Sequence, residues 1–198
     1  VGRRAKFTAD DLLDAALRIA LDDGPSAVTA SAVAQASGAP SGSVYHRFAG
    51  SDEILARLWL RTIVEFQSGF VEALSRDDTL AAADATIAYV FSWCDANPGK
   101  ARLLLTFDER EIGRRAPEAV TQELRDHNDA ARRSVADWTL RHFGSTDTEH
   151  FDRAVWALVD LPYGAVRRHL PDGRPRAWLR EAVVESAHRA IGQPRSTR

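Results

Sequence analysis

The stretch Thr29 to Phe48, TASAVAQASGAPSGSVYHRF, constrains the fold more than any other part of the sequence. It carries the signals of two short helices closed around a tight turn. The first runs from about Ala30 to Ala36. Thr29 is its N-cap, because the hydroxyl can accept a hydrogen bond from a backbone N–H of the first turn. Val33 and Ala36 point to one side, and Ala34 is small enough for a crossing helix to come close. Gly38 stands where a helix stops, at a position that tolerates a left-handed backbone. The second helix opens at Pro40, whose missing N–H would have no partner in a first turn, and continues through Arg47. Val44 and Phe48 are four apart and share a buried face. Ser41, Ser43, Tyr45, His46 and Arg47 mostly remain for the outside. This is the layout of a helix-turn-helix, whose second helix lies in a DNA major groove. A helical hairpin in any bundle can carry such a turn. The chemistry of the second helix separates the two readings: no carboxylate occurs from Thr29 to Ser51, which suits a polyanion better than an ordinary solvated face.

The same run resembles the DNA-binding signature of the tetracycline-repressor (TetR) family of bacterial regulators. That signature has a Thr opening its second helix, an "IA…AGVS.GTLYHHF" block and a "KE.LL" start to its fourth helix. This chain has Thr29, Val33-Ala34, then Ser37 through Phe48, and Asp52-Glu53-Ile54-Leu55 at the matching distance. Upstream, Leu12-Leu13-Asp14-Ala15-Ala16-Leu17 matches the family's "ILDAAL", and Asp23-Gly24 closes that helix. The match is close from residue 8 to about 58; beyond that it rests on length and helical pattern. Ser51 stands where most members have a phosphate-binding Lys, and Pro40 and Ser41 replace the usual Ser and a frequent Lys or Arg. The resemblance implies that Thr29, Tyr45 and Arg47 hold phosphates. It implies that Ser41, Gly42, Ser43 and His46 face base edges.

A chain of 198 residues can bury a substantial core in one or two domains. Its net charge of −2 makes it no bulk polyanion binder. Residues 1 to 50 balance Arg3, Arg4, Lys6, Arg18 and Arg47 against Asp10, Asp11, Asp14, Asp22 and Asp23. The acidic residues all fall on the first helix, away from the reading helix. Arg3, Arg4 and Lys6 form a small basic arm, read either as a solvated tail or as a phosphate or minor-groove contact. The single cysteine, Cys94, cannot form an intramolecular disulfide, and a cytoplasmic location fits. It lies in an apolar run, as a buried structural thiol would. No apolar run is long enough to span a membrane, and no signal-peptide core is present.

Periodicity predicts an all-α chain. A helix-turn-helix head occupies residues 1–50, and a larger helical bundle for ligand binding and dimerisation occupies 51–198. The first helix runs from about Thr8, which caps it, to Asp23, with Asp10 and Asp11 well placed in its first turn. A long helix begins near Ser51, where Ser51 and Asp52 offer a cap, and keeps its period to Leu74. Further helices are expected over Thr79–Ala96, Lys100 to about Phe107, Pro117–Phe143, Thr148–Leu170 and Pro175–Ile191. Asp108–Pro117 reads as a solvated connection with a short helical turn, and Gln193–Arg198 as a polar tail.

Two apolar stripes near the end bear on partners. One is Phe151, Val155, Leu158, Val159, Pro162 and Val166, with Trp156 and Tyr163 turned elsewhere. The other includes Trp178, Leu179, Val183, Ala187, Ala190 and Ile191. Each reads as core or as a dimer interface. A small head needs two copies, about 34–36 Å apart, to read a palindromic site, and the resembled family dimerises through such helices. Pro162 should kink or open its helix. Trp59, Phe66, Trp93, Phe107, Trp138, Trp156 and Tyr163 are aromatic residues that serve either as core or as the wall of a ligand pocket. Arg102, Asp108, Asn128 and Asp160 are candidate polar partners.

An enzyme needs a constellation that the sequence lacks. His46, His127, His142, His150, His169 and His188 show no helical metal-pair spacing. His142 and His150 flank a turn and could meet, with surface positions expected for both. No nucleophile elbow, phosphate-binding Gly loop or CxxC occurs, and no cofactor is expected. The sequence therefore reads as a homodimeric DNA-binding regulator, a repressor released from double-stranded operator DNA by a small-molecule effector of unread class. The alternative is a helical ligand-binding or interaction module that has lost DNA binding.

Overall fold

The computed structural model describes residues 7–107, 109–169 and 177–194. The described residues form helices and turns, with no strand among them. In chain order the helices are α1 (Ala9–Asp22), α2 (Ala30–Ser37), α3 (Ser41–Tyr45), α4 (Ser51–Leu74), α5 (Thr79–Ala96) and α6 (Pro98–Thr106). They continue with α7 (Glu109–Arg115), α8 (Glu118–Phe143), α9 (Thr148–Val155), α10 (Leu161–His169) and α11 (Ala177–Ile191). A single 3₁₀ turn, Pro25–Ala27, links α1 to α2. The basic arm Arg3, Arg4 and Lys6 lies outside the described residues, as do Asp108, the Pro171-Asp172-Gly173 turn and Pro175.

Packing gathers the chain into two units. The first comprises Val1–Ile63 and Leu103–Leu124; the second comprises Val64–Arg102 and Arg125–Arg198. The sequence pattern divides the chain after residue 50. Packing divides it elsewhere because α4 and α8 are long enough for each to give one end to each unit. In the first unit Leu12, Ala16, Val33, Val44, Phe48, Ile54, Leu58, Ile112 and Val120 are buried. Ile112 decides the Asp108–Pro117 segment. Expected as a solvated connection with a short helical turn, it holds a helix over Glu109–Arg115 with Ile112 only 2% exposed. One apolar side chain among charged neighbours is enough to anchor that turn.

The second unit is organised around Trp138, fully buried on α8. Its indole N–H donates to the Thr79 carbonyl at 3.0 Å, which pins the start of α5. His142, one turn on, stacks on Trp138 with ring centroids 4.7 Å apart. Its Nδ1 lies 2.9 Å from the Thr79 hydroxyl, and its Nε2 lies 3.4 Å from the Ile191 carbonyl. His142 thus joins the end of α8, the start of α5 and the end of α11. It is buried, not at the surface; Phe143 meets it edge-on at 4.7 Å and stacks on His150 at 4.5 Å. Arg141 closes the C-terminus of α4, donating to the carbonyls of Leu74 at 2.9 Å and Arg76 at 2.7 Å. A cation there also meets the negative end of the helix dipole. Cys94 is buried, and burial pushes its thiol up to about 11.

The helix from Thr148 is not uniform. Residues Trp156–Asp160 form a π turn, and the Leu161 N–H reaches back five residues to the Trp156 carbonyl. Pro162 explains this. Its ring has no N–H to donate and would collide with the carbonyl four residues earlier in a regular α-helix. Widening the preceding turn relieves the collision.

Burial holds the His142 imidazole below its ordinary value of 6.5. The folded chain therefore keeps it neutral in a pH range where the unfolded chain takes up a proton. Stability should be flat above about pH 6.5 and fall as pH drops below it. Thermal melts at stepped pH check this, and His142→Gln, which retains both a donor and an acceptor, should flatten the slope.

Candidate nucleic-acid interface

The head begins with α1, set by a reciprocal cap. The Asp11 N–H donates to the Thr8 hydroxyl oxygen at 3.1 Å, and the Thr8 N–H donates to the Asp11 carboxylate at 2.7 Å. That backbone hydrogen bond from Thr8 holds the Asp11 carboxyl below the usual range. The acidic face of α1 is partly neutralised by Arg61, 2.9 Å from Asp14.

Thr29 caps α2 as expected, its hydroxyl accepting from the Ala32 N–H at 3.1 Å. A second acceptor comes from outside the helix. Ser51 Oγ accepts from the Ala30 N–H at 3.2 Å. Ser51 is thus the first residue of α4, and its hydroxyl caps α2, not its own helix. Between α2 and α3, Gly38 takes a φ of 68°, where a side chain would be strained. The Ala39 N–H then closes back on the Ala34 carbonyl at 3.1 Å. Pro40 is the N-cap of α3 at φ −57° and ψ 139°, so the helix starts one residue later than expected. Pro40 still serves the start, because its carbonyl accepts from the Ser43 N–H at 2.8 Å.

Val44 and Phe48 are buried, and these two side chains hold α3 in the head. Ser41, Gly42, Tyr45 and His46 are exposed, while Ser43 and Arg47 are half-buried. Tyr45 is 57% exposed, an unusual position for a large aromatic side chain on a folded surface. Thr29 is exposed as well. The expected DNA-facing residues are therefore exposed or half-buried, with one difference. Arg47 turns back and donates to the Ser43 carbonyl at 3.0 Å. It satisfies the end of α3, whose short length leaves carbonyls unpaired. Sequence reasoning missed the Ser51–Ala30 bond, since nothing in local pattern joins residues so far apart in the chain.

The residues expected at a ligand pocket are scattered. Phe66 and Trp93 meet edge-to-face at 5.1 Å, and Phe70 and Tyr89 complete an aromatic cluster around Phe66. Asn128 bonds to Gln67, a residue the sequence did not single out. Trp138 belongs to the core described above. Trp59 is buried in the first unit with its indole N–H unpaired, and Phe107 is half-buried there. Trp156, Tyr163 and Asp160 face outward, and Arg102 is exposed.

The expected dimer stripe also divides. Leu158, Pro162, Val166, Val183 and Ala187 are buried within the second unit, and Phe151, Val155 and Leu179 are half-buried. Only Val159 faces out. The apolar surface instead carries Trp156, Val159, Tyr163 and Trp178, which are 52%, 38%, 46% and 57% exposed. The physical reason is that the inward stripe closes this chain's own bundle.

The family model described as "Bacterial regulatory proteins, tetR family" matches residues 12–58. No curated protein matches the chain. Among solved structures, a TetR transcription regulator from Haloarcula marismortui superposes with a TM-score of 0.70 at 15% identity, covering 94% of this chain and 98% of that one. A tetR-family regulatory protein from Rhodococcus gives 0.69 at 16%, covering 94% and 98%. A TetR family transcriptional regulator from Thermus thermophilus gives 0.67 at 16%, covering 93% and 99%. At such identities the likeness is one of fold, and it extends over both units.

Ser51→Ala should leave the Ala30 N–H without its acceptor and lower stability by about 1 kcal/mol. Urea denaturation followed by far-UV circular dichroism measures the loss.

Proposed function

By residues 12–58 the chain belongs to the tetR family of bacterial regulatory proteins, DNA-binding transcription regulators rather than enzymes, and we propose that it is a homodimeric repressor released from a palindromic operator by a small molecule. Residues 1–50 are the reading head, and 51–198 carry the ligand and dimer functions. The observation that carries the DNA reading is the α3 surface. Ser41, Gly42, Tyr45 and His46 are exposed on a helix that two buried side chains anchor, and no carboxylate lies between Thr29 and Ser51. Thr29 and Tyr45 contact phosphates, and Arg47 joins them by leaving the Ser43 carbonyl. Ser41, Gly42, Ser43 and His46 face base edges, where contacts discriminate sequence.

The dimer reading is supported by the outward face of Trp156, Val159 and Tyr163. All three are exposed along one stretch of helix, and Trp178 is exposed on α11. Large exposed apolar groups gathered in this way mark interaction surfaces. No described helix is long and apolar enough to cross a membrane. Release works by population shift: ligand favours one conformer, DNA the other, and linkage makes the two affinities oppose each other. The continuous helix α4 supplies residues to both packing units, which suits it to carry that shift.

Selection from a random duplex pool should return a palindrome, bound with a steep salt dependence. No enrichment at low salt would turn the reading to a binding module without DNA recognition. On the selected site, Tyr45→Ala should weaken specific and non-specific binding alike and leave the salt slope unchanged, because the phenol neutralises no phosphate charge. His46→Ala should cost about 1–3 kcal/mol and relax preference at one base position. The double variant Trp156→Glu with Tyr163→Glu should sediment as a monomer in analytical ultracentrifugation, with its helix content unchanged.

A further inference from the structure

We propose that Arg57 is a positioning residue for DNA recognition: by holding Glu53 on α4 and Glu123 on α8 at once, it ties α8 to the turn that follows α3. This deepens the DNA reading above and rests on it. The contacts begin one residue beyond Phe48. There the Ala49 N–H donates to Glu53 Oε2 at 2.8 Å. The Gly50 carbonyl accepts from the Ile54 N–H at 3.1 Å, so the turn runs directly into α4. A glutamate in the first turn of a helix that reaches back to a preceding N–H is an ordinary cap. Here the carboxylate is shared. Its other oxygen, Oε1, lies 3.7 Å from Arg57 Nε, one turn along α4. Arg57 Nη1 then donates to Glu123 Oε2 at 2.7 Å.

Ala49, Glu53, Arg57 and Glu123 all belong to the first packing unit, and α8 continues past Leu124 into the second. Glu53 is the least exposed of the three charged side chains, at 17%, and Glu123 the most, at 49%. The planar guanidinium carries five N–H donors in a fixed fork, so Arg57 can face one carboxylate with Nε and another with Nη1.

A single exposed ion pair adds little to stability. Its effect on position is a separate matter. Val44 and Phe48 anchor α3 by its apolar side, and the Ala49 bond fixes the chain immediately after Phe48. A turn released from that bond has more freedom to lose when α3 seats on DNA, and that ordering weakens binding. Arg57 acts through Glu53 and is not one of the DNA-facing residues.

The test compares Glu123→Ala, Arg57→Gln and the double variant, each in the full chain, by fluorescence anisotropy on the selected duplex. Glu123→Ala removes a negative charge, so long-range electrostatics alone would tighten DNA binding. The tether predicts the reverse: affinity falls about three- to tenfold in each single variant. The double variant falls no further than Arg57→Gln, because both changes cut one chain of contacts. The salt slope of Glu123→Ala stays at the parent value, since no phosphate contact is lost. Amide exchange followed by NMR gives a readout that needs no DNA. The Ala49 amide exchanges faster in Glu123→Ala than in the parent, while the Ala32 amide, held by Thr29, keeps its rate. Unchanged or tighter duplex binding by Glu123→Ala, additive losses in the double variant, or an unchanged Ala49 rate would each overturn the assignment. If the double variant fails to fold, affinity and exchange in the single variants decide. A selection that enriches no duplex overturns the α3 reading and this role with it. An enriched duplex bound equally by parent and variants overturns this role alone.

Discussion

The burial of Val44 and Phe48 is the constraint on which the exposed face of α3 depends. Helix α3 spans Ser41–Tyr45, little more than one turn. A helix that short does not persist alone, because nucleation fixes several residues for very few hydrogen bonds. Two apolar side chains four residues apart bring it against α2, and the left-handed backbone at Gly38 sets the angle at which it arrives. Once Val44 is inside, Ser41, Tyr45 and His46 have no place but the surface. Presentation of the polar face is thus a consequence of the apolar one.

The same head shows how capping bonds knit elements that sequence separates. Thr29 satisfies one N–H of α2 and Ser51 another, so the start of α2 is completed by the first residue of α4. A lysine at position 51 would offer no acceptor to Ala30. The serine exchanges a positive charge for a bond inside the protein. Arg47 makes a comparable exchange, satisfying the Ser43 carbonyl at the end of α3. Arg47 keeps its guanidinium charge in doing so, whereas Ser51 carries none.

In the second unit, polar groups at helix ends do the joining. Thr79 meets both Trp138 and His142, and His142 reaches Ile191. Arg141 closes α4. Proline shapes the surface by the opposite means, through a bond it cannot make. Pro162 opens a π turn ahead of itself on the helix that presents Trp156, Val159 and Tyr163 to solvent. The aromatic residues of this unit therefore take different roles according to helix face: core for Trp138, cluster for Phe66 and Trp93, surface for Trp156 and Tyr163.

Sequence by itself determined the helical class, the helix-turn-helix, the caps at Thr8 and Thr29 and the limits of α5. These follow from interactions within a few residues: apolar periodicity, a hydroxyl three positions from the N–H it accepts, and a glycine or proline at a helix end. Tertiary structure alone decided which apolar stripe faces inward, because Leu158 and Trp156 lie on one helix and periodicity cannot say which side the bundle covers. It alone decided that Ile112 anchors a helix in a charged segment, that His142 is buried, that Ser51 belongs to the cap of α2, and that Gln67 meets Asn128. Each of these pairs residues distant in the chain, and only the packed fold brings such residues within hydrogen-bonding or van der Waals range.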